Sequence, residues 1–179
     1  KGRFIPELGD IWRNNAFEAL LGSKERVAAI LAAFRTDPAL NLLGPEPYLM
    51  ALADYPYHDD GELAQHLLDA APSGAEAFFA GTMFWLRPRG LQRLAELKLT
   101  HFSPESGSND GALAHLIERL FGQASVHGTG RMAAAPVDPF KPLNTRPKPT
   151  TVKLDTYLPA RFEERLSQSA TRPGGALIW

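Results

Sequence analysis

The sequence predicts an α/β, helix-rich fold in which a short sheet is flanked by helices. Phe78 to Leu86 is an apolar and aromatic run broken only by Gly81 and Thr82 and bounded by Ser73-Gly74 and Pro88. It is too short for a globular helix and reads as a buried strand. Leu40 to Gly44, cut off by Pro45 and Pro47, is a shorter apolar run and reads as a second strand. Between and around them lie helical stripes, the clearest being Val27, Ile30, Leu31 and Phe34 at i, i+3, i+4 and i+7.

At 179 residues the length favours one domain, which buries roughly 70% of its unfolded surface. Lys plus Arg number 19 against 20 acids, so the charge balance carries no footprint for nucleic acid or an anionic membrane surface. Cysteine is absent, which excludes disulfides, thiolate nucleophiles and Cys-ligated zinc and fits a reducing compartment. No run approaches the roughly 18 apolar residues of a membrane span. The chain starts at Lys1 and is read as a piece of a longer protein.

Lys1 to Asp10 reads as an irregular lead-in, with Asp10 suited to cap a helix over Ile11 to Leu21 whose stripe is Trp12, Ala16, Ala19 and Leu20. Gly22 stands where a terminating glycine belongs. Ser23 caps the next helix, and Asp37-Pro38 ends it. Tyr48 to Tyr57 fits either one helical face or a loop. Asp59-Asp60 places carboxylates at the start of a helix through Leu63, Leu67 and Leu68, which Pro72-Ser73-Gly74 closes. After the central strand, Pro88 opens a helix bearing Leu91, Leu94 and Leu97. A polar loop with Glu105 and Asp110 then leads to a helix over Gly111 to Phe121, its core positions being Leu113, Leu116, Ile117 and Leu120. The expected division is therefore an α/β domain over residues 1–121, a proline-rich arm or linker over 122–157, and a short helix with a frayed end over 158–179.

Strand, helix, acidic loop and helix place carboxylates at a strand exit, where open α/β sheets bind ligands. Asp110 has two readings: an N-cap, or a carboxylate held ionised by the helix start and able to take a proton from a sugar hydroxyl. Glu105 is either a second such base, a hydroxyl ligand, or a solvated loop acid. His115 and Glu118, three apart on one helix face, are expected to approach each other. Arg87 and Arg119 flank the acidic loop and either neutralise a pyrophosphate or pair with Glu105, Asp110 or Glu118. Trp12 and Trp85 sit in apolar patterns that suit core packing more readily than stacking on a sugar ring. His58, Asp59, Asp60, Glu62 and His66 gather metal-binding side chains but match no ligand pattern, and a capped polar helix explains them. There is no Walker loop, no dinucleotide fingerprint, no nucleophile elbow and no His-Glu-x-x-His.

Ala80-Gly-Thr-Met-Phe-Trp85, an acid in a short loop, and Asp110-Gly-Ala-Leu-Ala-His-Leu-Ile-Glu-Arg119 together resemble the rhamnan synthesis protein F family of bacterial cell-surface polysaccharide assembly. Gly9-Asp-Ile-Trp-Arg13 and Leu20-Leu-Gly22 extend the resemblance, which covers about residues 1–121. It implies a partial GT-A-like glycosyltransferase fold and transfer of rhamnose or a related sugar from a nucleotide-sugar donor to a glycan or lipid-linked glycan acceptor, as in rhamnan or O-antigen synthesis. By that resemblance Asp110 is the catalytic base, with Glu105 beside it; Gly81, Thr82 and Trp85 line the acceptor side; and His115, Glu118 and Arg119 order the site. The leaving group would be stabilised by a divalent cation (Mg or Mn) or by arginines, in the cytoplasm or at the inner face of the bacterial membrane. Ala112 departs from the family's usual threonine, and the family's nucleotide-binding half would precede Lys1, so this piece is expected to lack donor binding on its own.

Overall fold

In the computed structural model, which describes residues 6–55, 76–89, 94–95, 98, 113–126 and 128–149, the strand Leu40–Pro45 (β1) is fully buried and the rest is arranged about it. Helices Pro6–Leu21 (α1) and Lys24–Thr36 (α2) precede it, and Leu49–Ala51 (β2), Ala77–Phe79 (β3), Trp85–Leu86 (β4), the helix Leu113–Ser125 (α3) and Arg131–Ala135 (β5) follow. β1 is the middle strand of three, antiparallel to β4 and parallel to β5, while β2 and β3 form a separate antiparallel ribbon. A small α/β fold is thus established, with a short mixed sheet.

α1 begins at Pro6 rather than after Asp10. Proline costs nothing in a first turn, where its missing N–H has no partner anyway. Asp10 lies inside the helix and pairs with Arg13 at 2.9 Å. α2 follows the sequence closely. Ser23 is extended and its Oγ accepts from Arg26 N at 3.0 Å, a cap of about 1 kcal/mol. The helix stops at Thr36 because Pro38 disfavours helical backbone at Asp37, which is extended.

One face of the sheet packs Leu40, Leu43, Ala133 and Ala135 against Ala19 and Leu20 of α1 and Ile30 of α2. A register shift between Leu40 and Leu42 puts Leu40 and Leu43 on the same side despite their odd spacing. The opposite face packs Leu42 and Ala134 against Leu49, Ala77 and Phe79 of the ribbon. Burying a side chain such as Phe79 contributes about 1.5–3 kcal/mol.

The central run and the stretch from Phe121 onward also differ from the sequence-based expectation. Phe78 to Leu86 is not one strand but two, in different sheets, because Gly81 (φ +93°) and Thr82 (φ +56°) turn the backbone through the left-handed region between β3 and β4. The last helix does not stop at Phe121, and the stretch expected to be an extended arm or linker from residue 122 opens with helix and strand. α3 runs on through Gly122 to Ser125, and Arg131–Ala135 then pairs with β1. The loop after β5 is clamped by Arg26, 2% exposed, whose Nη2 donates to Pro136 O, Asp138 O at 2.6 Å and Lys141 O at 3.0 Å. The Asp59–Pro72 helix, Leu91 and Leu97 of the helix after Pro88, and residues 158–179 lie outside the described residues. Tyr48 ends a 3-10 turn (Glu46–Tyr48), and β2 and a second 3-10 turn (Leu52–Asp54) follow.

α3 rests on β3 at Gly122, where an added Cβ would stand 2.2 Å from Ala77 O. Its end is tied to β1 by Asn41 Nδ2, which donates to Ser125 O at 2.9 Å. At the head of β5, the Arg131 guanidinium binds the Asp37 carboxylate. Partial burial pushes that carboxyl up, but the bonds from Arg131 and from Ala39 N more than reverse this and leave it below its ordinary 3.8.

Gly122→Ala should therefore destabilise by about 1–3 kcal/mol or more, measured by denaturant unfolding; an unchanged midpoint would mean α3 is free to move away. Because the folded pKa of Asp37 is depressed, its contribution is present above the ordinary carboxyl range and is lost as pH falls through the lower folded value. Arg131→Met should shift the acid-unfolding midpoint to higher pH.

Candidate functional site

The turn joining β3 to β4 places Gly81 and Thr82 at the surface beside α3. Gly81 N donates to the Glu118 carboxylate across 37 residues of sequence, and Ala80 N donates to Tyr48 O at 2.9 Å. These bonds hold a backbone that Thr82, β-branched and at φ +56°, adopts only under constraint. Trp12 of α1 closes the other side: a Cβ on Gly81 would lie 2.8 Å from its Nε1. The Trp12 ring stacks on Tyr48 with centroids 3.6 Å apart and planes 13° from parallel.

Tyr55 approaches from the end of the second 3-10 turn, edge-on to Phe78 at 5.6 Å. Burial first, then the charges of Asp54 and Glu118, push its phenol up from the ordinary value, while Arg119 opposes them. A phenol is protonated at neutral pH in any case, so the Tyr55 hydroxyl can donate a hydrogen bond. Arg119 is buried at 5% exposure, so its charge acts where water screens it least. Around the Gly81 turn the structure thus brings together the Glu118 carboxylate and the stacked Trp12–Tyr48 pair, with the Tyr55 phenol within reach of the Glu118 charge.

Of the sequence-predicted residues, Gly81, Thr82 and Glu118 meet here, and the buried Arg119 follows Glu118 on α3, near enough to Tyr55 for its charge to be felt there. His115 is one turn earlier on α3, half-buried, and its Nδ1 is shielded from solvent with no hydrogen-bond partner among the described residues. The expected approach of His115 to Glu118 makes no hydrogen bond among the described residues, because the Glu118 carboxylate turns to Gly81 N instead. Trp85 pairs with Leu43 and packs against the α1–α2 face of the sheet. Glu105 and Asp110 lie outside the described residues, as does the His58–His66 cluster. Among the described residues Arg87 pairs with no acid: its guanidinium donates to the carbonyls of Phe34, Asp37 and Leu40. The sequence reading missed Tyr48 and Tyr55; the available signal was a pair of tyrosines bracketing the short apolar run Leu49–Ala51.

Two curated relatives match the chain, the uncharacterized protein WxcX from each of two strains of Xanthomonas campestris pv. campestris. Each is 37% identical over 130 residues, covering 69% of this chain and 18% of the relative. The chain spans under a fifth of the length of these relatives, as that 18% shows. No family model matches the chain, and no solved structure matches it. Among the described residues no helix is long and apolar enough to cross a membrane.

Gly81→Ala should destabilise by about 1–2 kcal/mol from the left-handed backbone alone, with a further loss from the Trp12 contact. Thr82→Gly should stay within about 1 kcal/mol of wild type, since relieved strain offsets the added chain entropy. Equal thermal shifts for the two variants would show that the turn is not held as described.

Proposed function

We propose that the chain is the acceptor-side part of a glycosyltransferase of bacterial polysaccharide assembly, of the kind its motifs resemble in the rhamnan synthesis protein F family. The observation that carries the reading is the bond from Gly81 N to Glu118. The two motif segments behind the resemblance are joined by it into one surface feature. That feature has the chemistry a sugar needs. Trp12, partly buried and stacked on the buried Tyr48, supplies apolar ring surface, and Glu118, Tyr55 and the Thr82 hydroxyl supply polar partners.

In this reading Asp110, three residues before α3, removes the proton from an acceptor hydroxyl, with Glu105 supporting it. The hydroxyl oxygen forms the new bond to the sugar as the bond to the nucleotide diphosphate breaks. Glu118 is a positioning residue that fixes the turn. Among the described residues no group of three or more acidic or histidine side chains is placed to hold a metal.

The test is sugar release and transfer by the full-length protein with nucleotide-sugar donors. Asp110→Asn should reduce transfer by about 100- to 10,000-fold with unchanged circular dichroism, whereas Trp12→Ala should raise KM for the acceptor more than it lowers kcat. Undiminished transfer in Asp110→Asn overturns the assignment of the base. Glycan binding without transfer, insensitive to Asp110→Asn, would instead make the chain a non-catalytic glycan-binding or assembly module.

A further inference from the structure

At the C-terminal end of α2, away from the Gly81 turn in its lining residues, a cleft of about 420 Å³ is lined by Leu31, Phe34, Arg35, Pro38, Arg87 and Arg89. Three of these six residues are arginines. Arg87 donates through Nε to Leu40 O at 2.8 Å and through Nη2 to Asp37 O at 3.2 Å, with its guanidinium carbon 5.4 Å from the centre of the Phe34 ring. Arg89 donates through Nε to Asn41 Oδ1 at 2.9 Å and through Nη2 to Pro38 O. Every one of these acceptors is neutral. The neighbouring acid, Asp37, already holds Arg131. Among the described residues, then, none of the three lining arginines has an acidic partner.

Capping the end of α2 accounts for only part of this. The exposed carbonyls of a helix end amount to about half a negative charge, against three full positive charges, so the cleft keeps a large positive excess. Capping uses the Nε and Nη2 atoms of Arg87 and Arg89, leaving both Nη1 groups. It uses nothing of Arg35, which is exposed and makes no hydrogen bond among the described residues. Nor does capping explain Leu31, a member of the amphipathic stripe of α2 that is nevertheless 45% exposed at the cleft.

We propose that this cleft binds the phosphoryl group of an amphiphilic phosphate ester. The phosphate oxygens are held by Arg35, Arg87 and Arg89, and the apolar part of the ligand lies over Leu31, Phe34 and Pro38. A planar guanidinium fork matches two oxygens of a phosphate, and a doubly or triply charged anion balances three cations where a single carboxylate does not. Burying apolar ligand surface on Leu31 gives that exposed side chain a partner. The same chemistry is carried by soluble phosphate esters and by anionic lipid headgroups. The inference is independent of the sugar-transfer reading, since it uses none of the residues at the Gly81 turn.

The test is calorimetric titration of the full chain at low salt with inorganic phosphate and with phenyl phosphate, alongside co-sedimentation with phosphatidylcholine vesicles with and without phosphatidic acid. Phenyl phosphate should bind more tightly than inorganic phosphate. Arg35→Gln and Arg89→Gln should each weaken binding by about tenfold, the loss of one charge-assisted contact, and Leu31→Asn should abolish the preference for the phenyl ester. Arg35 holds no other residue among those described, so Arg35→Gln tests the site without disturbing the fold. Binding to phosphatidic acid vesicles but not to the soluble probes, again weakened by Arg35→Gln, assigns the lipid headgroup as the source. Failure of both the soluble probes and the vesicles to bind, or binding that is the same in Arg35→Gln and Arg89→Gln as in wild type, overturns the proposal.

Discussion

The contact of α3 with β3 at Gly122 is the constraint on which the candidate site depends. There is room for a hydrogen but not for a carbon between that position and Ala77 O, so helix and strand approach as closely as backbones allow. One turn back along α3 lies Glu118, and four residues along the chain from Ala77 lies Gly81. With the first pair in contact, the carboxylate of the second reaches the amide of the turn. A bulkier residue at 122 would lift the helix and withdraw the carboxylate. Stability and site geometry thus rest on the same close approach, and a helix interior accepts the cost of a glycine, about 1 kcal/mol against alanine, to obtain it.

Arginine does much of the internal tying in this chain, and mostly through neutral carbonyls. Arg26 gathers the loop after β5, Arg87 gathers the end of α2 and the start of β1, and Arg131 fastens the head of β5 to Asp37. Guanidinium groups suit this work because five N–H donors in a fixed plane satisfy several carbonyls that irregular backbone leaves without partners. Burial costs them charge stabilisation, and desolvation lowers the Arg26 pKa even though Asp138 pulls it upward. The side chain stays charged because its ordinary value is so far above neutrality. A consequence is that near-zero net charge does not mean an electrically even surface: where arginines face carbonyls in place of acids, positive charge remains.

The aromatic residues divide by depth. Phe78 and Phe79 serve the ribbon and its core, and Phe84 meets Phe121 edge-on at 5.0 Å. Trp12 and Tyr48 stack next to a glycine turn, and Trp12, from the apolar stripe of α1, packs against Met50, Phe78 and Ala80.

Local chemistry makes α2 and β1 legible in the sequence: a serine that caps, a stripe that repeats every turn, and prolines that forbid continuation. Gly81, Thr82, Glu118 and Arg119 are identified there as related too, through motif rather than geometry. The break in Phe78–Leu86 is not legible, since hydrophobicity alone does not distinguish one long strand from two short ones joined by a left-handed turn. Nor is β5, whose Arg-Met-Ala-Ala-Ala sequence has no strand preference of its own. Those alanines form a strand because β1 offers a parallel edge to pair with, and all three are buried there. The sequence by itself therefore determined the elements whose signals lie within a few residues of one another. The tertiary structure decided which distant residues share a surface, because pairing and close approach depend on neighbours that are far away along the chain.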